Sequence, residues 1–159
     1  MDQPLRRPEQ ILAYRSLKQN LKQGPLWTVG TADTVLSAIR IMAEKNVGFL
    51  LVVEQGKIVG VLSERDCVRR AMLVGKSPET TAVADIMTRD VVKASPTQTF
   101  GECLKLMHTR GIRHLPIVEN ETAIGVISVR DLMSEAVAHH EKVITELERE
   151  RMTMFTSTA

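Results

Sequence analysis

The chain has 159 residues, of which 43% are hydrophobic and 25% charged, a composition typical of one soluble globular domain. Because 21 basic residues are nearly balanced by 19 acidic ones, for a net charge of +2, binding to nucleic acid through a general positive field is excluded. The apolar runs are shorter than the roughly 20 residues of a membrane span, and the N-terminus lacks the apolar stretch of a signal peptide. We therefore expect a cytoplasmic protein that binds no membrane.

The first predicted element is an amphipathic helix. From Glu9 to Gln23 the apolar residues recur at helical spacing, and Gly24-Pro25 ends the pattern. Residues 1–16 are interpreted as a helical extension that precedes the body of the protein.

The body consists of one unit that occurs twice. The segment Gly60 to Asp66, GVLSERD, recurs 65 residues later as Gly125 to Asp131, GVISVRD, and ten of the 38 pairs between positions 29 and 66 are identical at this offset. About two matches would be expected by chance at average composition. Since a unit of this size buries too little surface to be stable alone, we expect the two copies to share a core.

Each copy is predicted to contain a helix, a hairpin of two strands and a second helix. In the first copy these are a helix from Val35 to about Lys45, strands at Phe49–Val53 and Lys57–Leu62 around the turn Gln55-Gly56, and a helix from Glu64. In the second copy they are a helix between the capping box at Thr99 and Gly111, strands at His114–Glu119 and Ala123–Ser128 around the turn Asn120-Glu121-Thr122, and a helix from Val129. Residues 75–82 concentrate turn formers and helix breakers and are the predicted linker.

The C-terminal part is predicted to be a further helix from Ser134 to Met152, followed by a disordered tail from Thr153. Residues 138–159 are therefore interpreted as a C-terminal extension. Side chains at helical spacing could form one stripe of this helix, which would pack on the body or on a second subunit. The members of this stripe are Val137, Ile144, Leu147 and Arg151.

Residues that could perform catalysis or bind a metal form no recognisable pattern. The sequence contains no nucleophile and base at a known spacing, no P-loop and no GxGxxG motif, so we expect no enzyme. His139-His140 lacks a histidine partner at i+4, which favours a solvated helix face over a metal site. Cys67 and Cys103 form no CxxC pair and are predicted to be buried. Four methionines on apolar faces are predicted to fill the core: Met42, Met87, Met107 and Met133.

The repeated motif has the chemistry of a nucleotide half-site. Ser63 lies where a strand gives way to a helix, so unpaired backbone N–H groups and the positive end of the helix dipole would face a phosphate. Arg65 offers further donors to phosphate oxygens, and the carboxylate of Asp66 can accept both hydroxyls of a ribose. The alternative is an ordinary helix cap, and the two roles can coexist. The same side chains recur as Ser128, Arg130 and Asp131.

The duplicated helix, hairpin and helix, with the G-h-h-S-x-x-D motif, resembles a tandem pair of CBS domains, the cystathionine-β-synthase-type module. Two further motifs support the resemblance: Asp85-Ile86-Met87-Thr88 opens the second copy, and Arg113-His114-Leu115-Pro116 lies on its strand. The resemblance implies an α/β fold in which repeats at residues 17–74 and 83–137, each with a short leading strand, pack sheet to sheet about a pseudo-twofold axis. It also implies two clefts between the copies, which in this family bind adenosine-containing ligands.

In this family the adenine is held by the segment that begins the opposite copy. The resemblance therefore implies that Asp66 cooperates with Thr88 to Val92, and Asp131 with Leu26 to Val29. For Trp27, the only tryptophan, a position over the core beneath the first strand is an equally good interpretation. The further binding residues implied in this way are Thr88, Asp90, Val91, Val92, Trp27, Thr28 and Val29.

The copies differ where phosphates would bind. Arg113-His114 resembles the basic pair of the family, whereas the equivalent residues of the first copy are Gly48-Phe49. This difference indicates two unequal clefts, one of which prefers the more highly charged ligand. The alternative is that Arg113 projects into solvent and His114 is an ordinary strand histidine.

Together these features predict a sensor rather than a catalyst. The expected ligand is an adenine nucleotide, AMP, ADP or ATP, with NAD and S-adenosylmethionine as further candidates, and no catalytic cofactor is expected. The resemblance implies a homodimer. Because little chain lies outside the pair, occupancy would be passed on through the dimer or to an unidentified partner protein. The alternative is a structural interaction module without a specific nucleotide response.

Overall fold

The computed structural model of the protein describes residues 4–11 and 26–156, which form a mixed α/β fold of two repeats. The strands are β1 (Thr28–Gly30), β2 (Phe49–Glu54), β3 (Lys57–Ser63), β4 (His114–Glu119) and β5 (Thr122–Ser128). The α-helices are α1 (Val35–Lys45), α2 (Glu64–Arg70), α3 (Phe100–Arg110) and α4 (Val129–Thr156), and 3₁₀ turns lie at Met72–Val74 and Val83–Asp85. Among these described helices, none is both long and apolar enough to cross a bilayer.

The strands form one small sheet in each copy, with equivalent pairing. In the first copy β1 runs parallel to β2, which pairs antiparallel with β3. In the second copy β4 and β5 pair antiparallel, and a parallel bridge between Ala94 and Ile117 takes the place of β1. Both hairpins shift register at the equivalent point, after Val52 and after Ile117. The two copies predicted from the sequence therefore also share their strand pairing and the position of the register shift.

Both hairpins turn through two residues with positive φ, Gln55-Gly56 in the first copy and Asn120-Glu121 in the second. Two such residues are characteristic of the type I′ turn, whose twist matches that of the flanking strands. Thr122 was predicted to lie in the turn but pairs with Glu119 as the first residue of β5. The prediction was one residue too long because two residues suffice to reverse the chain.

Replacing Glu121 by glycine should raise the free energy of unfolding by about 1 kcal/mol. Glu121 has a φ of 63°, a left-handed conformation that costs a residue with a Cβ roughly 1–2 kcal/mol. Glycine avoids this cost, but part of the stability gained is lost because glycine makes the unfolded chain more flexible. Gly56 occupies the equivalent position of the first copy, so Gly56→Glu is the matched control and should destabilise. Urea denaturation measures both, and equal midpoints for Glu121→Gly and the parent would contradict the expectation.

The first helix of each copy begins with a hydroxyl cap. Thr99 and Glu102 form the predicted capping box on α3: the Thr99 N–H donates to the Glu102 carboxylate at 2.7 Å, and the Glu102 N–H donates to Thr99 Oγ1 at 3.3 Å. Thr34 caps α1 in the same way, accepting from the Ser37 N–H at 3.1 Å. Gly111 ends α3 in the left-handed conformation, as predicted.

The linker is bonded to the first copy. The N–H groups of Val35 and Leu36, at the start of α1, donate to the carbonyls of Thr81 and Pro78, each at 2.9 Å. These carbonyls satisfy two of the four donors that a helix leaves unpaired at its start. Residues 75–82 therefore serve as part of the α1 cap as well as connecting the copies.

Buried residues form two hydrophobic clusters, one in each copy, and the expectation of a single shared core is wrong in this respect. The two copies nevertheless depend on each other for their interiors. The segment that opens the second copy contributes Val83, Ile86 and Met87 to the first cluster. The N-terminal segment contributes Ile11 to the second cluster. Each cluster is therefore completed by a segment from outside its own copy.

The predicted interior positions of cysteine and methionine are mostly confirmed. Cys67 and Cys103 are free and buried, one in each cluster, and burial raises the pKa of each thiol to about 11. Both thiols are therefore neutral and unreactive. Met42 and Met107 are buried, but Met133 is mostly exposed, so its assignment to the core is wrong.

The N-terminal segment, residues 4–11, docks on the second copy. The Arg6 N–H donates to the Glu135 carboxylate at 3.0 Å, and the Glu9 N–H donates to the Pro96 carbonyl at 3.3 Å. Residues 8–11 are helical. Most of the helix predicted from Glu9 to Gln23 lies outside the described residues.

One continuous helix, α4, replaces the two helices predicted after Val129. No proline or glycine interrupts the sequence there, so the helix that closes the second copy continues to Thr156, past the predicted start of the tail at Thr153. The predicted stripe does not pack on the body, because Val137, Ile144 and Leu147 are each more than half exposed. Packing of this stripe on the body, one of the two predicted alternatives, is therefore excluded for the described residues.

Candidate functional site

Each repeated motif forms a closed capping box at the junction of a strand and a helix. The Ser63 N–H and Oγ both donate to Asp66 Oδ2, at 3.0 and 2.6 Å, and the Asp66 N–H donates to Ser63 Oγ at 3.2 Å. Ser128 and Asp131 make the same three bonds at 2.6, 2.7 and 3.2 Å. The capping interpretation is thus confirmed for both motifs. A carboxylate has about four acceptor positions, so the cap does not exhaust either aspartate.

The backbone at these helix starts is less open than the sequence suggested. The N–H of Glu64 donates to the Gly48 carbonyl at 3.1 Å, and the equivalent N–H of Val129 donates to the Arg113 carbonyl at 2.9 Å. With the aspartate N–H bonded to serine, the first and third amides of both helices are satisfied within the protein. The expectation of a row of unpaired amides is therefore wrong, because the preceding strand supplies an acceptor. The arginine amides, at the second position, remain the candidates for a ligand.

Arg70 joins Asp66 to the segment that opens the second copy. Its Nε lies 3.5 Å from Asp66 Oδ1, and one of its terminal nitrogens donates to the carbonyls of Ile86 and Met87 and to Thr88 Oγ1, at 3.0, 3.2 and 3.3 Å. Arg70 was not among the site residues predicted from the sequence. The equivalent residue of the second copy is Glu135, and this reversal of charge at one repeat position is the signal that could have revealed it.

The segment predicted to cooperate with Asp66 starts on the first copy and ends on the second. Thr88 exchanges two backbone hydrogen bonds of 2.9 Å with Val61 on β3. Asp90 is exposed and lies 3.8 Å from Arg110, while Val92 packs against the second cluster. Val91, between them, is half-buried. The structure therefore brings Thr88 close to Asp66. The remaining residues of the segment lie where the chain crosses from the first copy to the second.

The residues expected to complete the other cleft belong to the first copy. Trp27 packs against the first cluster, with the Lys45 ammonium 5.1 Å from the centre of its ring, which agrees with the core-covering interpretation. Thr28 is half-buried on β1, and Val29 is buried in the first cluster, so the Val29 side chain is not accessible to a ligand. That these three residues cooperate with Asp131 stays a prediction.

Phe49 and His114 stack on each other between the copies. Their ring centres are 4.8 Å apart and the rings are inclined by 10°. The two residues occupy the same position of the repeat, and each pairs across its hairpin with the serine of its own motif, Ser63 or Ser128. The stack therefore joins the two motifs through the pseudo-twofold axis.

The imidazole of His114 is neutral near pH 7. Burial lowers its pKa, the charge of Arg113 lowers it further, and the nearby carboxylate of Asp131 opposes these effects without reversing them. Of the predicted basic pair, only the exposed Arg113 therefore supplies a positive charge. His114 can still donate one hydrogen bond and accept one.

The stability of the protein should fall as the pH is lowered from about 7 to 5.5, and His114 should account for part of this loss. A histidine whose pKa is lower in the folded chain takes up its proton preferentially in the unfolded chain, below an unfolded pKa of about 6.5, and so favours unfolding as the pH falls. His114→Phe retains an aromatic ring against Phe49 and should flatten this slope. Urea denaturation across the pH range measures it, with the exposed His108→Gln as control; an unchanged slope in His114→Phe would contradict the assignment.

The charges around the two motifs differ strongly. Next to Ser63 stands Glu64, whose carboxylate lies 3.2 Å from the point where a Cβ on Gly48 would be. Next to Ser128 stands the uncharged Val129, and the position of Gly48 is taken by Arg113. Arg65 and Arg130 are common to both copies, so at these two positions the second motif is the more positive. Arg70 beside Asp66, which is Glu135 in the second copy, differs in the opposite sense. The asymmetry inferred from Gly48-Phe49 thus extends to a second position of the repeat.

This combination of duplicated hairpins and capped motifs defines an α/β pair of two similar repeats. The CBS domain family profile matches residues 21–73 and 83–138, and the chain belongs to this family. The chain is 33% identical over 127 residues to the CBS domain-containing protein CBSX3, mitochondrial, of Arabidopsis thaliana. That match covers 77% of this chain and 61% of the plant protein, so the chain spans less than two thirds of its length.

Solved structures agree with this assignment. A CBS-domain protein of Burkholderia ambifaria is 38% identical, with a TM-score of 0.76 over 82% of this chain and 93% of the other. A CBS-domain pair crystallised with 5′-methylthioadenosine and S-adenosyl-L-methionine has a TM-score of 0.68 and covers 82% of this chain and 95% of its own. At 21% identity this second likeness shows the fold alone.

Proposed function

We propose that this CBS pair is a cytoplasmic sensor that binds an adenosine-containing ligand between its copies, chiefly at the motif of Ser128, Arg130 and Asp131. The observation that supports a preference for this motif is the difference in charge at two positions beside the serine, those of Gly48 and Glu64 in the first copy. The second presents Arg113 and Arg130, where the first presents Gly48 and Arg65 with Glu64 beside them. An anionic ligand is favoured where cations are not offset by a neighbouring carboxylate. The adenosine ligands bound by the structural neighbour support the ligand class.

The ribose would be recognised by the aspartate of the motif. Asp131 is held by its bonds to Ser128, so its carboxylate is already oriented before a ligand arrives. Two neighbouring hydroxyl groups can then donate to a charged acceptor, and such bonds are stronger than those between neutral groups. In the first motif Oδ1 of Asp66 lies 3.5 Å from Arg70 Nε, so a ribose bound there would compete with this ion pair.

The phosphates would lie towards Arg113 and Arg130. Both side chains are exposed, and they flank the start of α4, where the helix dipole also favours negative charge. His114, neutral and stacked on Phe49, would contribute a hydrogen bond rather than a charge. The adenine would lie between the copies, against residues 88–92 or against residues 27–29. We infer that the ligand acts by changing how the two copies pack.

Ligand binding can be tested by thermal denaturation with AMP, ADP, ATP, NAD, S-adenosylmethionine and adenosine, followed by calorimetric titration of any ligand that stabilises. A ligand at about 100 times its Kd should add roughly 2.7 kcal/mol of stability. GTP and inorganic phosphate serve as controls for general anion binding. No stabilisation by any adenosine compound would favour a purely structural module. Conversion of a bound nucleotide that is lost on substitution of a cleft residue would instead indicate an enzyme.

Arg113→Gly should weaken binding of ATP about tenfold or more and leave binding of adenosine nearly unchanged. The substitution gives the second motif the residue of the first, and it removes one charged hydrogen-bond donor, which is worth about 1.5–3 kcal/mol. Gly48→Arg is the reciprocal variant and should not reduce affinity. Calorimetry measures both ligands against both variants. Equal losses for ATP and adenosine would show that Arg113 acts through the fold rather than on phosphate.

A further inference from the structure

Arg70, the last residue of α2, connects the first motif to the segment that opens the second copy. Because a guanidinium is a planar fork of several donors, one side chain can serve two partners at once. Here Nε faces the carboxylate of Asp66, while a terminal nitrogen donates to three acceptors on residues 86–88. The side chain is about half exposed, so these contacts, and not burial, fix its position.

The acceptors that hold Arg70 are themselves fixed by other contacts. Thr88 exchanges two backbone hydrogen bonds of 2.9 Å with Val61 on β3, and Ile86 is buried in the first cluster. Residues 86–88 are therefore held in place independently of Arg70. A ligand that displaces the Arg70 side chain must break its hydrogen bonds to these residues as well as its ion pair.

The acceptor positions that remain on Asp66 lie on the oxygen that faces Arg70. A carboxylate offers about four such positions, two on each oxygen. The N–H and the Oγ of Ser63 take the two on Oδ2. Both remaining positions are thus on Oδ1, which lies 3.5 Å from Arg70 Nε. Since a ribose diol donates two hydrogen bonds, it competes with the guanidinium for the same oxygen.

The second copy has an anion in place of Arg70. Its residue at this repeat position is Glu135, which accepts a hydrogen bond of 3.0 Å from the Arg6 N–H of the N-terminal segment. Each of the two residues thus holds a segment from outside its own copy. Glu135, however, has the same charge as the carboxylate of Asp131 and cannot form an ion pair with it. The competition found at the first motif is therefore specific to Arg70.

Given the ribose role proposed for the aspartates, on which this assignment rests, we propose that Arg70 is a specificity-determining residue that closes the first motif to ribose-containing ligands. Its guanidinium competes for Asp66 Oδ1, and its hydrogen bonds to residues 86–88 hold it in the competing position. Removal of Arg70 then adds a binding site. A role as a cation for ligand phosphates predicts the opposite result, a loss of ATP binding with no added site.

Calorimetric titration of the full chain with adenosine tests this role. Adenosine carries the ribose diol but no charge, so loss of a cation does not by itself alter its affinity. The parent should bind one adenosine per chain. Arg70→Gln should bind a second, because affinity at the first motif rises about tenfold or more. 2′-Deoxyadenosine lacks one hydroxyl of the diol and should show no second binding event with this variant.

Arg69→Gln is the matched control, since it removes the same charge from an exposed neighbour on α2, and it should bind one adenosine. Arg70→Met keeps the aliphatic stem without a donor and should gain the same second event as Arg70→Gln. In the Arg70→Gln background, Asp66→Asn should remove this event, whereas Asp131→Asn should retain it. Circular dichroism confirms that each variant is folded.

Two equal sites in the parent, or no second event in Arg70→Gln, would overturn the role of Arg70 and leave the sensor function standing. A gain shared with Arg69→Gln or with 2′-deoxyadenosine, or one that survives Asp66→Asn, would also overturn it, because Arg70 would then act through general charge or through the fold. No binding of adenosine to the parent or to any variant would contradict both this role and the ribose role of the aspartates.

Discussion

Gly60→Ala should lower the free energy of unfolding by about 2 kcal/mol. A Cβ at this position of β3 would lie 2.6 Å from the sulfur of Met87 and 3.1 Å from the carbonyl oxygen of Thr88. The methionine can move, but the carbonyl is held by a 2.9 Å hydrogen bond from the Val61 N–H. Forcing extra volume into a packed site costs typically 1–3 kcal/mol. The glycine is thus required for the segment that opens the second copy to lie against the first.

Gly101→Ala is the matched control for this substitution. Gly101 lies in α3, and no neighbouring atom is within 4 Å of the Cβ that alanine would add. Alanine has the higher helix propensity, so this variant should be more stable than the parent by about 0.5–1 kcal/mol. Urea denaturation measures both variants. If the two changed stability equally, the close approach at Gly60 would not be what restricts the residue.

Asp131→Asn should weaken binding of the adenosine ligand by about 1.5–3 kcal/mol, roughly 10- to 150-fold. The amide oxygen of asparagine can still accept the two bonds from Ser128, so the cap is preserved, but the carboxylate oxygen beside it becomes a donor. A ribose hydroxyl then loses its charged acceptor. The comparison is sharper than Asp131→Ala, which would also remove the cap and about 1 kcal/mol of stability.

Asp66→Asn is the control in the other copy and should leave the tightest binding unchanged. Calorimetric titration gives affinity and stoichiometry for both variants. Loss of binding in Asp66→Asn alone would place the ligand at the first motif, contrary to our proposal. Unchanged binding in both variants would contradict the ribose role of the aspartates.

Features that depend on neighbours along the chain were predictable from the sequence. The capping box of Thr99 and Glu102, the left-handed Gly111 and the hairpins all follow from residues within a few positions of one another. Because the two copies align at a fixed offset of 65 residues, each prediction for one copy also applied to the equivalent residues of the other. The family follows from the motifs combined in this order.

Features that depend on distant residues were not predicted. Arg70 contacts residues 16 to 18 positions away, and nothing in its own segment indicates that partnership. The continuity of α4 was not predicted, because the amphipathic pattern from Ser134 indicates a helix of its own, although nothing in the sequence ends the previous one. The neutral state of His114 could not be chosen between the two interpretations from the sequence, because burial, which lowers its pKa, is a property of the folded chain.

Phe49 can stack on His114 because the pseudo-twofold axis relates two halves of the same chain, so equivalent positions can hold different residues. In a symmetric dimer of two identical single repeats, a residue on the twofold axis can meet only its own kind, Phe against Phe or His against His. Because here both halves belong to one chain, the two positions can differ, and a ring that never ionises lies against one that can. The single chain thus holds between its halves a mixed contact in which only one of the two rings can take up a proton.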